Sequence, residues 1–174
     1  LAEFIVGLRY EQLPEPVIHA FKRSLLDYLC VSVAGSQMDI PRRVREYFQS
    51  LDANGASSVI GTSLRLSPPN AAFANGVSAH AMDFDDGYTR GSLHPGCTCF
   101  SSVLAAAEPR GAAPRDLLRA VIVAYEVATR IGGQAHPFAA KRGFHNTSAV
   151  GVFGATAGVC SLLGLSVEET MNAR

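Results

Sequence analysis

Apolar residues recur at helical spacing over most of this chain. Val17, Ile18, Phe21, Leu25, Leu26, Leu29 and Val33 predict a helix over about 14–34, opened by Pro14 and Pro16 and closed by Gly35. Pro41 opens a shorter helix with Val44, Tyr47, Phe48 and Leu51 on one face. A longer amphipathic helix is marked by Leu117, Leu118, Val121, Ile122, Tyr125, Val127, Ala128 and Ile131. Gly132-Gly133 is expected to stop it, leaving 134–143 as a polar loop. Ser166-Val167-Glu168-Glu169 is a capping box that starts a further helix. Asn54-Gly55 reads as a turn, and 57–61 is the one stretch that suggests an extended segment.

Three other segments are built mostly from Ala, Gly, Ser and Asn. They run from Pro68-Pro69 to near Asp83, over about 98–108, and over about 148–163 up to Gly164. Small side chains let neighbouring helices approach closely, so these segments are expected at the centre of a bundle. Pro109, Gly111 and Pro114 mark a surface turn. The expected fold class is all-α: a helical bundle with small-residue central helices, forming a single domain over 1–174.

Composition supports a buried core. The 174 residues are 48% hydrophobic and 17% charged, which suits one well-packed domain. Formal net charge is +0, with no basic block, so neither nucleic acid nor a membrane surface is expected as partner. No apolar run reaches the ~20 residues that span a bilayer, and the first nine residues lack signal-peptide features. Cys30, Cys97, Cys99 and Cys160 include no CxxC pair, which suggests reduced thiols and a cytoplasmic protein.

The candidate chemistry lies where one small-residue helix ends. His80-Ala81-Met82-Asp83-Phe84-Asp85-Asp86 closes that helix in three carboxylates, and His94-Pro95 follows in the same loop. Anionic groups at the mouth of an apolar helix cost stability unless something uses them, and carboxylates within reach of imidazoles suit proton transfer. Asp83 directly follows the buried run, so its carboxylate is expected at the core edge, where desolvation raises a pKa. For Asp85 and Asp86, a cap or Asx-turn in a solvated loop is an equally good reading. Pro95 holds His94 extended. His145, in Gly143-Phe144-His145-Asn146-Thr147, is a second imidazole that helix packing can bring to the first. His80 reads as a satisfied core histidine, and Lys141-Arg142 as a solvated pair. The catalytic candidates are therefore Asp83, His94 and His145.

Metal binding is the alternative. Asp83, Asp85, Asp86, His94, Cys97 and Cys99 offer donors, but Cys97-Thr98-Cys99 is not a zinc spacing and the set mixes hard and soft ligands. The three aspartates alone could hold Mg²⁺, which keeps a metal-dependent helical enzyme open. No GxGxxG or Walker pattern is present, so no nucleotide cofactor is expected.

Asn70-Ala71-Ala72-Phe73-Ala74-Asn75-Gly76, the His80–Asp86 stretch and His94-Pro95 together resemble the signature of the MmgE/PrpD family. Further similarity runs through Asp116-Leu117-Leu118, Tyr125-Glu126-Val127, Gly143–Thr147, Gly151–Ala155 and Leu162–Leu165. The family includes 2-methylcitrate dehydratase, cis-aconitate decarboxylase and iminodisuccinate epimerase. The resemblance implies a lyase acting on a small polycarboxylate without metal or cofactor, and active-site roles for Asp83, His94 and His145. It also implies that 1–174 is the N-terminal portion of a larger helical domain, in a longer homodimeric chain with a lid domain and an active-site lysine that matches no position here. A non-catalytic helical remnant is the rival reading. One departure stands out: the family's Thr after Asp-Phe-Asp-Asp is Gly87 here, with Tyr88 or Thr89 as candidate suppliers of the missing hydroxyl.

Overall fold

Proline placement sets where the main helices begin. In the computed structural model, which describes residues 1–51 and 54–173, proline occupies the first turn of α2 (Glu15–Gly35), α4 (Pro68–His80), α5 (Pro95–Ala107) and α6 (Pro114–Ala135). Its missing N–H is no loss there, and its fixed φ suits a helix. The remaining helices are α1 (Ala2–Gly7), α3 (Asp39–Leu51), α7 (Phe138–Lys141), α8 (Asn146–Leu163) and α9 (Val167–Asn172). The predicted capping box at Ser166 and Glu169 forms at the start of α9. The only sheet among the described residues is a two-stranded antiparallel pair, β1 (Ser57–Ser58) with β2 (Arg65–Leu66). The fold is all-α.

Helix α5 lies at the centre, against α4, α6 and α8. Phe100 on α5 is fully buried, stacked on Tyr28 at 5.0 Å between ring centroids and flanked by Phe21 and Tyr125. Aromatic pairs at such distances add to area burial. The small residues act as predicted. A Cβ on Gly154 would lie 2.7 Å from the Ala124 carbonyl, and one on Gly158 would lie 2.7 Å from Val103 Cγ2. Glycine therefore sets how closely α8 approaches α5 and α6.

Several boundaries differ from the pattern reading. Helix α6 continues through Gly132-Gly133 to Ala135. A Cβ on Gly132 would collide with Leu93 Cδ2 at 2.1 Å, so this glycine makes room for the preceding loop and does not stop the helix. The predicted loop 134–143 contains the end of α6 and all of α7. Helices α5 and α8 begin at Pro95 and Asn146, earlier than expected, while α4 ends earlier, at His80. On α2 the buried face runs through Ile18, Tyr28, Val31 and Ser32, whereas Leu26, Leu29 and Val33 are exposed. On α3, Val44 and Phe48 pack inward but Tyr47 and Leu51 face solvent. Length and hydropathy alone would let the 18-residue α8 cross a membrane, yet half of it is buried inside the protein.

Candidate active site

Three helix ends meet at one cluster. His80 is the last residue of α4, His94 precedes the first residue of α5, and His145 precedes the first residue of α8. The His80 ring stands 4.9 Å from His94 and 6.0 Å from His145, between centroids. Two buried side chains at the start of α8 hold this arrangement. Asn146 donates from Nδ2 to the Gly91 carbonyl at 2.6 Å, and Thr147 Oγ1 accepts the His94 backbone N–H at 3.0 Å. The loop between α4 and α5 is thereby tied to α8, and His94 is fixed relative to His145. The positive ends of the α5 and α8 dipoles face the cluster, an arrangement that favours anionic ligands.

The carboxylates sort differently from the pattern reading. Asp83 is not at a desolvated core edge: its side chain is 81% exposed. Helix α4 has already ended, and Asp83 turns the chain at φ 51, a left-handed conformation that aspartate tolerates better than most residues. It still reaches the cluster, with Oδ1 3.6 Å from His94 Nε2. The buried carboxylate is Asp85, 2% exposed, with Oδ1 2.9 Å from His80 Nδ1 and 3.3 Å from His94 Nδ1. His80 is therefore no ordinary core histidine, since its ring neighbours both predicted histidines and it shares Asp85 with His94.

Asp86 points elsewhere. Its Oδ1 accepts the Gly96 N–H at 2.9 Å and its Oδ2 accepts the Tyr125 hydroxyl at 3.0 Å. Burial raises its pKa above the ordinary 3.8, against the lowering effect of those two hydrogen bonds. Burial, and then the Asp86 charge, pushes the Tyr125 hydroxyl up, so it donates as a neutral phenol. Asp86 thus clasps the start of α5 to α6. Beneath the site, Cys97 Sγ donates to the His94 carbonyl at 3.2 Å, and burial followed by the Asp85 charge raises its pKa and keeps it a thiol.

The three-aspartate metal site is not formed, because Asp86 faces Tyr125 and Gly96. Among the described residues, the set that could hold an ion is His80, Asp83, Asp85 and His94, with one ligand atom from each within 4.8 Å of the others. Within it, Asp85 already engages both Nδ1 atoms. Cys97 and Cys99 are outside this set.

Gly87 leaves space beside His94: a Cβ there would meet only His94 Cε1, at 3.9 Å. Tyr88 does not fill it, because its hydroxyl lies beside Gly133 on α6. Thr89, Lys141 and Arg142 are exposed. In the sequence His80 reads as a core histidine, Asp85 equally well as a cap or as a functional residue, and Thr147 is not singled out. The signal for His80 and Thr147 was position at a helix end; Asp85 also stood in the carboxylate cluster.

The whole chain, residues 1–174, matches the MmgE/PrpD N-terminal domain. The chain belongs to the MmgE/PrpD family. Among curated relatives it is 31% identical to cis-aconitate decarboxylase of Mus musculus and 32% identical to that of Homo sapiens, each over 99% of this chain. A cis-aconitate decarboxylase-like protein of Aspergillus oryzae is 28% identical over the same share. The chain spans 36–38% of the length of these relatives.

Proposed function

We propose that this chain carries the histidine–aspartate face of a lyase that moves a proton next to a carboxylate of a small polycarboxylate. A cis-aconitate-like acid is the substrate class that the relatives suggest. The observation that carries the reading is the meeting of His80, His94 and His145 with Asp83 and Asp85 at two helix N-termini. A carbon next to a carboxylate gives up a proton reluctantly, because the resulting carbanion is poorly stabilised. The chemistry needs a base held at the carbon and positive potential at the carboxylates. In this reading His94 transfers the proton, Asp83 faces the imidazolium as it forms, and His145 contacts a substrate carboxylate. A dehydratase would also need a protonated group to assist departure of hydroxide.

The wider context belongs to the same proposal. The protein works in the cytoplasm with its cysteines reduced, and the present chain forms one part of a larger helical domain. It works as a homodimer, for which the exposed apolar stripe Leu26, Leu29 and Val33 offers surface. Net charge of +0 gives no support to nucleic acid or membrane as partner.

The test is to incubate the intact protein with cis-aconitate and 2-methylcitrate and follow products by NMR. His94→Ala and His145→Ala should abolish turnover while the far-UV CD spectrum is retained. Near-normal rates in either variant would end the site assignment. Loss of activity on chelation, restored by a stoichiometric divalent ion, would favour the metal-dependent reading at His80, Asp83, Asp85 and His94.

A further inference from the structure

Asp85 is the most enclosed titratable member of the cluster, and its surroundings restrict where protons can sit. Its Oδ1 and Oδ2 lie 2.9 and 3.1 Å from His80 Nδ1. The same Oδ1 is 3.3 Å from His94 Nδ1, and the Asp85 backbone carbonyl is 3.2 Å from that nitrogen. Ionised carboxylates and carbonyl oxygens can only accept hydrogen bonds. Every protein oxygen facing these two Nδ1 atoms therefore calls for an N–H. A neutral imidazole has one N–H, so placing it at Nδ1 leaves Nε2 with a bare lone pair.

We infer that Asp85 is a positioning residue that holds both His80 and His94 in the Nδ1–H tautomer, so that each ring presents Nε2 as a proton acceptor. At His94 the assignment rests on the shorter contacts at Nδ1, 3.2 and 3.3 Å, against 3.6 Å at Nε2; its part in catalysis rests on the proposed proton transfer. At His94 the consequence is specific. Nε2 stands 3.6 Å from Asp83 Oδ1, and a bare lone pair facing a carboxylate gains nothing there. Once Nε2 takes the proton from a substrate carbon, leaving the C–H electron pair on the substrate, the ring becomes an imidazolium. It then has Asp85 at Nδ1 and Asp83 opposite Nε2. One buried carboxylate thus orients the base, and the exposed one meets the charge that develops. The shared carboxylate also links His80 to His94, so a proton change on either ring is felt by the other.

The test reads tautomers without substrate. Intact protein labelled with [15N]histidine would be examined by long-range 1H–15N correlation, at a pH where the rings are neutral. His80→Gln and His94→Gln would assign the signals. His80 and His94 should both show protonated Nδ1 and bare Nε2, the opposite of the preference of free histidine. Asp85→Asn keeps the shape but turns an amide NH₂ toward at least one ring, which should move that ring to the Nε2–H form. On cis-aconitate the same variant should lose about 100-fold or more in kcat, with KM changed less than about threefold. Protonated Nε2 on both rings of the wild-type protein would overturn the inference, as would an Asp85→Asn variant with unchanged tautomers and kcat. Nδ1–H signals in a protein that does not turn over cis-aconitate would support the positioning role and remove that substrate.

Discussion

Thr147→Val tests how the site is held together. Thr147 is the second residue of α8, is buried, and uses its hydroxyl oxygen to accept the His94 backbone N–H at 3.0 Å. Valine has nearly the same shape and remains β-branched, so helix propensity and packing volume change little. What changes is that a half-buried N–H loses its acceptor. Removing one partner of such a bond costs about 1–3 kcal/mol, more than the net worth of the bond, because the remaining group stays desolvated. A loss of about 2 kcal/mol lowers Tm by roughly 4–8 °C in a unit of this size. In urea the midpoint should fall with the m-value unchanged. Thr147→Ser keeps the acceptor and gives up only a buried methyl group, so it should cost about 0.8 kcal/mol, less than the valine variant. Activity should respond too, because the bond fixes His94 relative to His145. A displacement approaching 1 Å can cost about 100-fold in rate. Equal stability of the valine and serine variants would refute the reasoning, since His94 N–H would then have no need of Thr147.

Other consequences can be checked separately. Phe100→Ala removes the ring at the centre of the aromatic group formed with Phe21, Tyr28 and Tyr125 and should cost about 3–5 kcal/mol by chemical denaturation. Gly158→Val places a side chain where even a Cβ would lie 2.7 Å from Val103 Cγ2 and 2.8 Å from Ala124 Cβ; a cost of about 3 kcal/mol is expected from overpacking, and a neutral effect would show that α8 can move away. Tyr125→Phe removes a hydrogen bond that lowers the pKa of Asp86. A carboxyl with a raised folded pKa favours the fold below its ordinary 3.8, and that contribution is lost as pH rises through the folded value. Deleting the donor raises the folded value further, so the penalty should grow from acid to neutral pH, reaching about 1.5–3 kcal/mol. Urea titrations across pH 3–7 would read it, and a pH-independent penalty would contradict the assignment.

The bundle was legible because its signals are local. Prolines at 16 and 68 announced helix starts, whereas Pro95 and Pro114, read as loop and turn residues, also open helices; on α6 the predicted Leu118, Val121, Val127 and Ala128 are buried. The small-residue segments announced close packing, which Gly151, Gly154 and Gly158 deliver. Gly132-Gly133 misled because a glycine that ends a helix and a glycine that admits a neighbour are the same residue. Only the position of Leu93 distinguishes them.

The histidine cluster shows where local signals stop. The sequence by itself determined an all-α chain of this family, with acidic and imidazole groups stationed at the ends of its small-residue helices. Only the tertiary structure decided which carboxylate is enclosed and that His80 belongs with His94 and His145. Asp83, Asp85 and Asp86 lie within four positions of one another, yet one faces solvent, one lies between two rings and one clasps Tyr125. Backbone turns after a helix end, and contacts from residues tens of positions away, set those directions. Spacing along the chain carries no record of either.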